Sequence, residues 1–182
     1  MKARLKSIVL SAIGVLATFT AVTYTSCNND PCKAIVCAYG GTCNEGECIC
    51  PSGFEGTHCE IVTKDKFVGV WTVFEDGTIT QPAQYEINIL SGEGNTDVKI
   101  SNFYNSFPPG QYVNGRVVGD SIYIFSPTNS TSGFKVSGYG LLEWEEFYPE
   151  HGKLTMYYTI TNAEGKTNDF GVNGGVASEW NR

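Results

Sequence analysis

Beyond residue 66, apolar and polar residues alternate in short runs, and turn-forming residues separate one run from the next. Residues 84–90 alternate cleanly and end at a Ser-Gly-Glu-Gly-Asn turn, and residues 153–161 repeat the pattern. Alternation with a period of two, rich in β-branched and aromatic residues, predicts strands that bury one face. No segment has the periodicity of a helix longer than two turns. The pattern predicts strands at residues 67–74, 84–90, 97–103, 112–118, 121–125, 133–140, 141–147, 153–161 and 167–172.

The short links between these runs predict an antiparallel meander of eight or nine strands. Cysteines stop at Cys59, so an apolar core and not disulfides must stabilise this domain, which we place at residues 65–182. Closure into a barrel would remove exposed strand edges, and a two-sheet sandwich is the alternative. The predicted fold class is therefore mainly β, with a meander barrel or sandwich behind a cysteine-rich segment.

The N-terminal residues follow another pattern. Lys2, Arg4 and Lys6 precede an apolar run at residues 8–22. The run is shorter than the roughly 20 residues of a membrane-spanning helix, and Ser, Thr and Gly interrupt it. A secretory signal peptide at residues 1–26 is the better interpretation.

Six cysteines follow with the spacing C-x4-C-x5-C-x4-C-x-C-x8-C: Cys32, Cys37, Cys43, Cys48, Cys50 and Cys59. So short a segment cannot bury a self-sustaining core, and disulfides, worth about 2–4 kcal/mol each, have to stabilise it. The spacing, with Phe54 between two glycines before the last cysteine, resembles an EGF-like domain at residues 32–60. The resemblance implies the disulfides Cys32–Cys43, Cys37–Cys48 and Cys50–Cys59. Disulfides persist in oxidising compartments, which agrees with export.

A seventh cysteine, Cys27, directly follows the signal peptide in the sequence Tyr-Thr-Ser-Cys. This stretch resembles the lipobox of bacterial lipoproteins. The resemblance implies cleavage before Cys27, acylation of that residue, sorting to the outer membrane and a short tether at residues 27–31. Each buried methylene contributes about 0.8 kcal/mol, so two or three acyl chains hold a protein on a membrane. The alternative is an ordinary signal peptide that leaves Cys27 as a free thiol.

Several short motifs of the β domain carry a second resemblance. They are the opening Phe-x-Gly-x-Trp at residues 67–71 and the segments 98–103, 136–140 and 157–162. Together with the order of strands, they resemble small lipocalin-like domains of Bacteroidota lipoproteins. The resemblance implies a barrel, and the sandwich stays the alternative.

Charge and loop length exclude two classes of ligand. The formal net charge is −7 and no basic patch follows the N-terminus, which argues against nucleic acid. Calcium requires six to eight oxygen ligands, and the loop at residues 44–47 is too short to supply its share. We therefore predict no cofactor and no metal.

Two aromatic groups are candidates for ligand binding. They are Phe103, Tyr104, Phe107 and Tyr112 around one turn, and Trp144, Phe147 and Tyr148 near another. Rings exposed at a barrel mouth could stack on sugars or hold small apolar ligands. The alternative is that they plug the barrel ends or belong to its core.

Catalysis has little support. Glu143 and Glu145 lie on the same side of a predicted strand and Trp144 on the other, as expected for a half-buried strand with a solvated face. His151 follows in a predicted hairpin turn. We predict no enzymatic activity and no catalytic residue.

The sequence thus predicts an exported, lipid-anchored protein of the outer membrane with an EGF-like spacer and a lipocalin-like β domain. Its predicted function is non-enzymatic binding or adhesion at the cell surface, with a glycan, a small ligand or a protein as partner. One alternative is a structural or accessory subunit of an envelope complex without its own ligand. Another is a secreted EGF-containing protein.

Overall fold

A computed structural model of the chain describes residues 30–125, 133–144 and 151–182, and for Trp144 the backbone alone. The predicted signal peptide and the predicted acylation site Cys27 lie outside the described residues. The described residues form two small two-stranded sheets and one large sheet. Among them, no helix is long and apolar enough to cross a membrane.

The cysteine-rich segment folds into two small hairpins. Strand β1 (Thr42–Asn44) pairs with β2 (Glu47–Ile49), and β3 (Phe54–Glu55) pairs with β4 (Ile61–Val62). A 3₁₀ helix at Ala38–Gly40 precedes them. Strand β4 lies just beyond residue 60, so the last hairpin of this module extends into the segment left between the two predicted domains.

Three disulfides join the six described cysteines. The pairs are Cys32–Cys43, Cys37–Cys48 and Cys50–Cys59, with Cα–Cα distances of 5.7, 5.7 and 5.3 Å. This is the pairing that the EGF-like resemblance implies. The ring of Phe54 stacks on Tyr39, with ring centroids 4.3 Å apart. Disulfides and one aromatic pair thus replace the core that the module is too short to form.

The remaining strands form the large sheet, and two further 3₁₀ helices accompany it, at Thr63–Lys66 and Phe103–Asn105. Its strands are β5 (Gly69–Glu75), β6 (Ala83–Ser91), β7 (Asp97–Ser101), β8 (Tyr112–Val118), β9 (Ser121–Ile124), β10 (Lys135–Trp144), β11 (Gly152–Thr161), β12 (Thr167–Phe170) and β13 (Ser178–Asn181).

The sheet closes into a barrel. Consecutive strands from β5 through β11 pair antiparallel with one another. Strand β13 then pairs antiparallel with both β11 and β5 and closes the ring. Eight of the described strands therefore complete the cylinder, and β12 lies beside the second half of β11. The predicted barrel is confirmed, and the sandwich alternative is not what the chain forms.

The barrel interior is filled with side chains. Alternate residues of the strands point inward, as the alternation in β8 and β11 illustrates. The ring of Phe103 packs edge-on against Tyr158 and Trp180, at centroid distances of 5.0 and 5.9 Å. The largest side chains with less than 2% exposure are Trp71, Trp180, Tyr158, Phe67, Phe103, Phe170, Ile87, Ile89, Ile100, Ile122, Leu154 and Met156. Full burial of one such side chain contributes about 1.5–3 kcal/mol.

Arg182 and Trp71 form a contact, here called the clasp, between the first and last strands of the barrel at one of its ends. The indole N–H of Trp71 donates to the carbonyl of Phe67 at 2.8 Å. The guanidinium of Arg182 lies 4.9 Å from the Trp71 ring centre and donates to the carbonyls of Val68 and Lys66. The stacked cation and its hydrogen bonds hold residue 182 against the start of β5.

The EGF-like module contacts this same end of the barrel. The Lys66 ammonium bridges Glu55 of the module and Asp120 of the β8–β9 turn, and its side chain is only 11% exposed. The N–H of Thr63 donates to the carbonyl of Gly53 at 2.9 Å. Lys64 donates to the carbonyl of Gly94 at 2.9 Å. Hydrogen bonds and ion pairs therefore fix the module against the barrel.

Candidate functional site

The predicted ring-rich turn lies over the end of the barrel opposite the EGF-like module. Phe103 and Phe107 are buried, at 1% and 3% exposure, and Tyr104 and Tyr112 are half-buried. The Tyr104 hydroxyl accepts a hydrogen bond from the side-chain amide of Asn168 at 3.2 Å. Phe103 and Phe107 are thus part of the packed core.

The second predicted aromatic group lies mostly outside the described residues. Phe147 and Tyr148 lie outside the described residues, and Trp144 is described only as the last residue of β10.

Glu75 is a carboxylate buried at the end of β5, with 8% exposure. One oxygen accepts from the Tyr158 hydroxyl at 2.6 Å and from Ser178 at 3.4 Å, and the other accepts from the Tyr85 hydroxyl at 2.9 Å. Burial raises the pKa of Glu75, and the three hydroxyl donors oppose that rise. Burial and the nearby Glu75 charge also raise the pKa values of Tyr85 and Tyr158, so both phenols remain donors.

Asp169 of β12 organises a loop. Burial alone would raise its pKa, but N–H donors from Val172, Asn173 and Gly175 lower the pKa overall. The Asn173 amide adds a donor at 2.9 Å. Both buried carboxylates, Glu75 and Asp169, are therefore engaged by donors of the protein itself, which is the arrangement of structural groups.

No metal centre is found in the described part of the chain, since no three His, Cys, Asp or Glu side chains there converge closely enough to hold an ion. His58 lies on the EGF-like module, where its ring nitrogen is 3.1 Å from the Thr57 hydroxyl. Glu143 is exposed and lies opposite Lys153 in the β10–β11 pairing.

The outward face of strands β7 to β11 carries a feature that the sequence did not predict. The strand register aligns one residue from each strand: Asp97 opposite Arg116, Arg116 opposite Tyr123, Tyr123 opposite Tyr139, and Tyr139 opposite Tyr157. We call these five residues the tyrosine row. Tyr123 and Tyr139 are each 42% exposed. The rings of Tyr139 and Tyr157 stack at 5.2 Å with their planes 19° apart.

Two glycines set the direction of the central tyrosine. Gly138 and Gly140 flank Tyr139 and point into the barrel, where Tyr158 and Met156 occupy the space that a side chain would need. Because successive residues of a strand face opposite sides, Tyr139 must then point outward. The Gly-Tyr-Gly sequence therefore fixes the tyrosine on the surface.

A cleft of about 220 Å³ adjoins one end of the tyrosine row. The Arg116 guanidinium lies 5.6 Å from the Phe125 ring centre and 3.4 Å from an oxygen of Asp97. Phe125 is 50% exposed. The lining is completed by Gly92, Glu93, Val98, Lys99, Asn114 and Gly115. The cleft thus combines an exposed ring with cationic, anionic and neutral side chains that can donate or accept hydrogen bonds.

The sequence indicates part of this outward face, namely which tyrosines point away from the core. Alternation places Tyr123, Tyr139 and Tyr157 at outward positions of three strands. What aligns them is the register between strands, which depends on long-range pairing. The aromatic residues crowded at residues 103–112 do not belong to this row, and two of them, Phe103 and Phe107, lie in the core.

Comparison with known proteins gives a local similarity. No family model matches the chain. The chain is 54% identical over 37 residues to the protein kinase C-binding protein NELL1 of mouse, and equally to that of rat. The match covers 18% of this chain and 5% of each relative, so the chain spans a small part of the length of these relatives.

This local similarity agrees with the geometry of the N-terminal module, its three disulfides and its two short hairpins. The closed eight-stranded sheet follows it among the described residues. The described residues therefore fit an EGF-like module followed by an antiparallel β-barrel.

Proposed function

We propose that this chain is a non-enzymatic lipoprotein of the bacterial outer membrane, anchored through Cys27, that binds a partner outside the barrel. The observation that carries the binding proposal is the tyrosine row, which exposes aromatic side chains on the outward face of β9, β10 and β11. Exposed tyrosines in a contiguous set are typical of recognition surfaces.

The packed interior supports an outward site over an interior one. Lipocalin-like barrels that hold ligands need internal space, whereas here Trp71, Phe103, Tyr158 and Trp180 meet inside the cylinder. An apolar ligand would have to displace these side chains, each worth about 1.5–3 kcal/mol of burial.

The buried carboxylates support a non-enzymatic role. A general acid or base needs a carboxylate that can reach a substrate proton. Glu75 is surrounded by Tyr85, Tyr158 and Ser178, and Asp169 by its own loop. Both carboxylates are thus engaged by hydrogen bonds of the protein itself.

The anchor proposal is tested by the mass of the mature protein from its own membranes. We expect a chain that starts at Cys27, carries acyl groups and lacks six hydrogens for three disulfides. Cys27→Ser should remove the acyl mass and release the protein from membranes. A mature chain that starts elsewhere and carries no lipid would overturn the anchor.

The binding surface is tested by placing a photoreactive p-benzoylphenylalanine at Tyr139 or, as a control, at Phe74. Both residues are 42% exposed and lie on the outward side of the barrel, on strands β10 and β5. Irradiation of intact cells should give adducts from position 139 and few from position 74. Equal yields at the two positions, or none at 139, would contradict a binding face at the tyrosine row.

A further inference from the structure

We infer that the tyrosine row and its adjoining cleft bind a neutral carbohydrate chain. The inference rests on the proposed binding function and adds the chemical class of the ligand. The cleft between Phe125 and Asn114 would hold one sugar unit, and the following units would lie across Tyr123 and Tyr139.

Aromatic side chains supply the first half of sugar recognition. A pyranose has apolar C–H faces and a rim of hydroxyl groups, so it packs on rings and hydrogen-bonds at its edge. Tyrosine offers both a ring and a hydroxyl, and it loses little conformational entropy because it has two side-chain torsions. The stacking of Tyr139 on Tyr157 restrains these rings further before any ligand arrives.

Neutral polar groups supply the second half. Beside the row, Ser137 lies opposite Thr159 with their hydroxyl oxygens 3.4 Å apart, and Leu141 lies opposite Thr155. The aromatic row is therefore bordered by hydroxyls as well as by the apolar side chains of Leu141 and Phe125. A protein partner would need about 800 Å² with a more continuous apolar centre. The mixture of rings and hydroxyls fits a carbohydrate better.

Charge in the cleft favours a neutral sugar. The lining has two cations, Lys99 and Arg116, and two carboxylates, Glu93 and Asp97. Arg116 and Asp97 already form an ion pair at 3.4 Å. Guanidinium, carboxylate and amide groups can each form hydrogen bonds with two neighbouring hydroxyls of a sugar. The two cations and two carboxylates of the lining balance each other, so the cleft needs no charged ligand.

The length of the row favours a chain over a single sugar. Adjacent strands lie about 4.8 Å apart, so the five positions from Asp97 to Tyr157 extend over roughly 19 Å of sheet. Several sugar rings fit along this distance. We therefore expect oligosaccharides to bind more tightly than their monosaccharides.

The test is native affinity electrophoresis of the purified full-length protein in detergent. The gels contain soluble starch, hydroxyethylcellulose, galactomannan or, as an acidic probe, polygalacturonate. We expect at least one neutral polysaccharide to retard the protein. Tyr139→Ala should weaken that binding about tenfold, the loss expected for one aromatic stacking contact. Tyr139→Phe should retain most of it.

Matched controls separate a site from a loss of folding. Phe74→Ala removes an equally exposed ring from another strand and should leave retardation unchanged. Thermal unfolding of Tyr139→Ala should stay close to that of the unaltered protein, because Tyr139 points away from the core. Asn114→Ala should weaken binding without affecting the row.

Other outcomes overturn the inference. Retardation by polygalacturonate alone would exclude the neutral sugar, and retardation by none of the four probes would exclude the carbohydrate. Equal losses from Tyr139→Ala and Phe74→Ala would remove the row as the site. If position 139 crosslinks to a protein while no polysaccharide binds, the proposed binding function stands and the carbohydrate inference falls.

Discussion

Glu75 shows how a single ionisable group can be accommodated inside an apolar barrel. Its carboxylate has 8% exposure, and three hydroxyls donate to it where water would otherwise do so. Tyr158 extends the arrangement into the core by stacking on Phe170 at 4.4 Å. The network therefore links β5, β6, β11 and β13 at the point where the barrel closes.

The raised pKa of Glu75 predicts a pH-dependent stability. Burial raises this pKa above the ordinary 4.5. At a pH between these two values, the folded protein therefore keeps a proton on Glu75 that the unfolded chain has released. The contribution to stability is therefore present below pH 4.5 and is lost as the pH rises through the raised value. Glu75→Gln cannot ionise and does not lose this contribution. Its free energy of unfolding should therefore increase relative to that of the unaltered protein as the pH rises from about 4 to about 7.

Urea unfolding across that pH range measures the difference. Glu86→Gln, on the exposed side of β6, controls for the loss of one carboxylate from the surface. A difference between Glu75→Gln and the unaltered protein that stays constant with pH would contradict the raised pKa.

At the scale of elements, alternation located most of the strands but not all their limits. Residues 133–147 were expected to form two strands with a break after Gly140, and β10 instead runs unbroken from Lys135 to Trp144. Glycine usually signals a turn, whereas here Gly138 and Gly140 lie beside Tyr158 and Met156 of the neighbouring strand β11, which leave no room for a side chain. Their role depends on residues of β11, which a local pattern does not include.

Strand β13 was missed for a related reason. Its four residues follow a Gly-Gly pair and are too short to show alternation on their own. The pairing of Trp180 with Val73 and Leu154 places this strand between β5 and β11. Long-range packing therefore defines the strand, as it also defines the tyrosine row.

The two inward glycines of β10 should differ in their tolerance of a methyl group. At Gly138, a Cβ would meet the backbone of Tyr157 and Tyr158, whereas at Gly140 it would meet the side chains of Met156 and Ile122. Side chains can move more readily than a paired backbone. We expect Gly140→Ala to cost about 1–3 kcal/mol and Gly138→Ala to cost more.

Chemical denaturation of both variants measures this order. Ser137→Ala, at an exposed position of the same strand, is the control and should change the free energy of unfolding by less than about 0.5 kcal/mol. The reverse order for the two glycines would mean that the backbone of β11 yields more easily than its side chains.

At the scale of the whole molecule, the spacing of cysteines predicted the EGF-like module well, but its contact with the barrel was not foreseen. Lys66, Glu55 and Asp120 come from three separate segments, and no local pattern links them. Burial lowers the pKa of Lys66, but its hydrogen bonds to Asp120 and Glu55 outweigh burial and raise the pKa overall. The ammonium therefore stays charged and bridges the two parts of the molecule.

Replacing this lysine should loosen the contact without unfolding either part. Lys66→Met keeps the length of the side chain and removes the charge, so Glu55 and Asp120 lose their common partner. We expect faster amide hydrogen exchange at Thr63, whose N–H bonds to Gly53. Lys166→Met, at an exposed turn, should leave that exchange unchanged. Unaltered exchange at Thr63 in Lys66→Met would show that hydrogen bonds alone maintain the contact.

The clasp of Arg182 on Trp71 has a consequence for how the protein is made. Residues 178–182 are synthesised after every other described strand, yet they supply the partner that β5 needs to close the barrel. The disulfides of the first module need no residue beyond Cys59, so they can form before the strands of the barrel have been made. The module can thus be complete while the sheet behind it is still open. A chain that is cut short before Trp180 would leave β5 and the first half of β11 unpaired on one side and exposed to proteases, so β13 decides, among the described strands, whether the barrel closes.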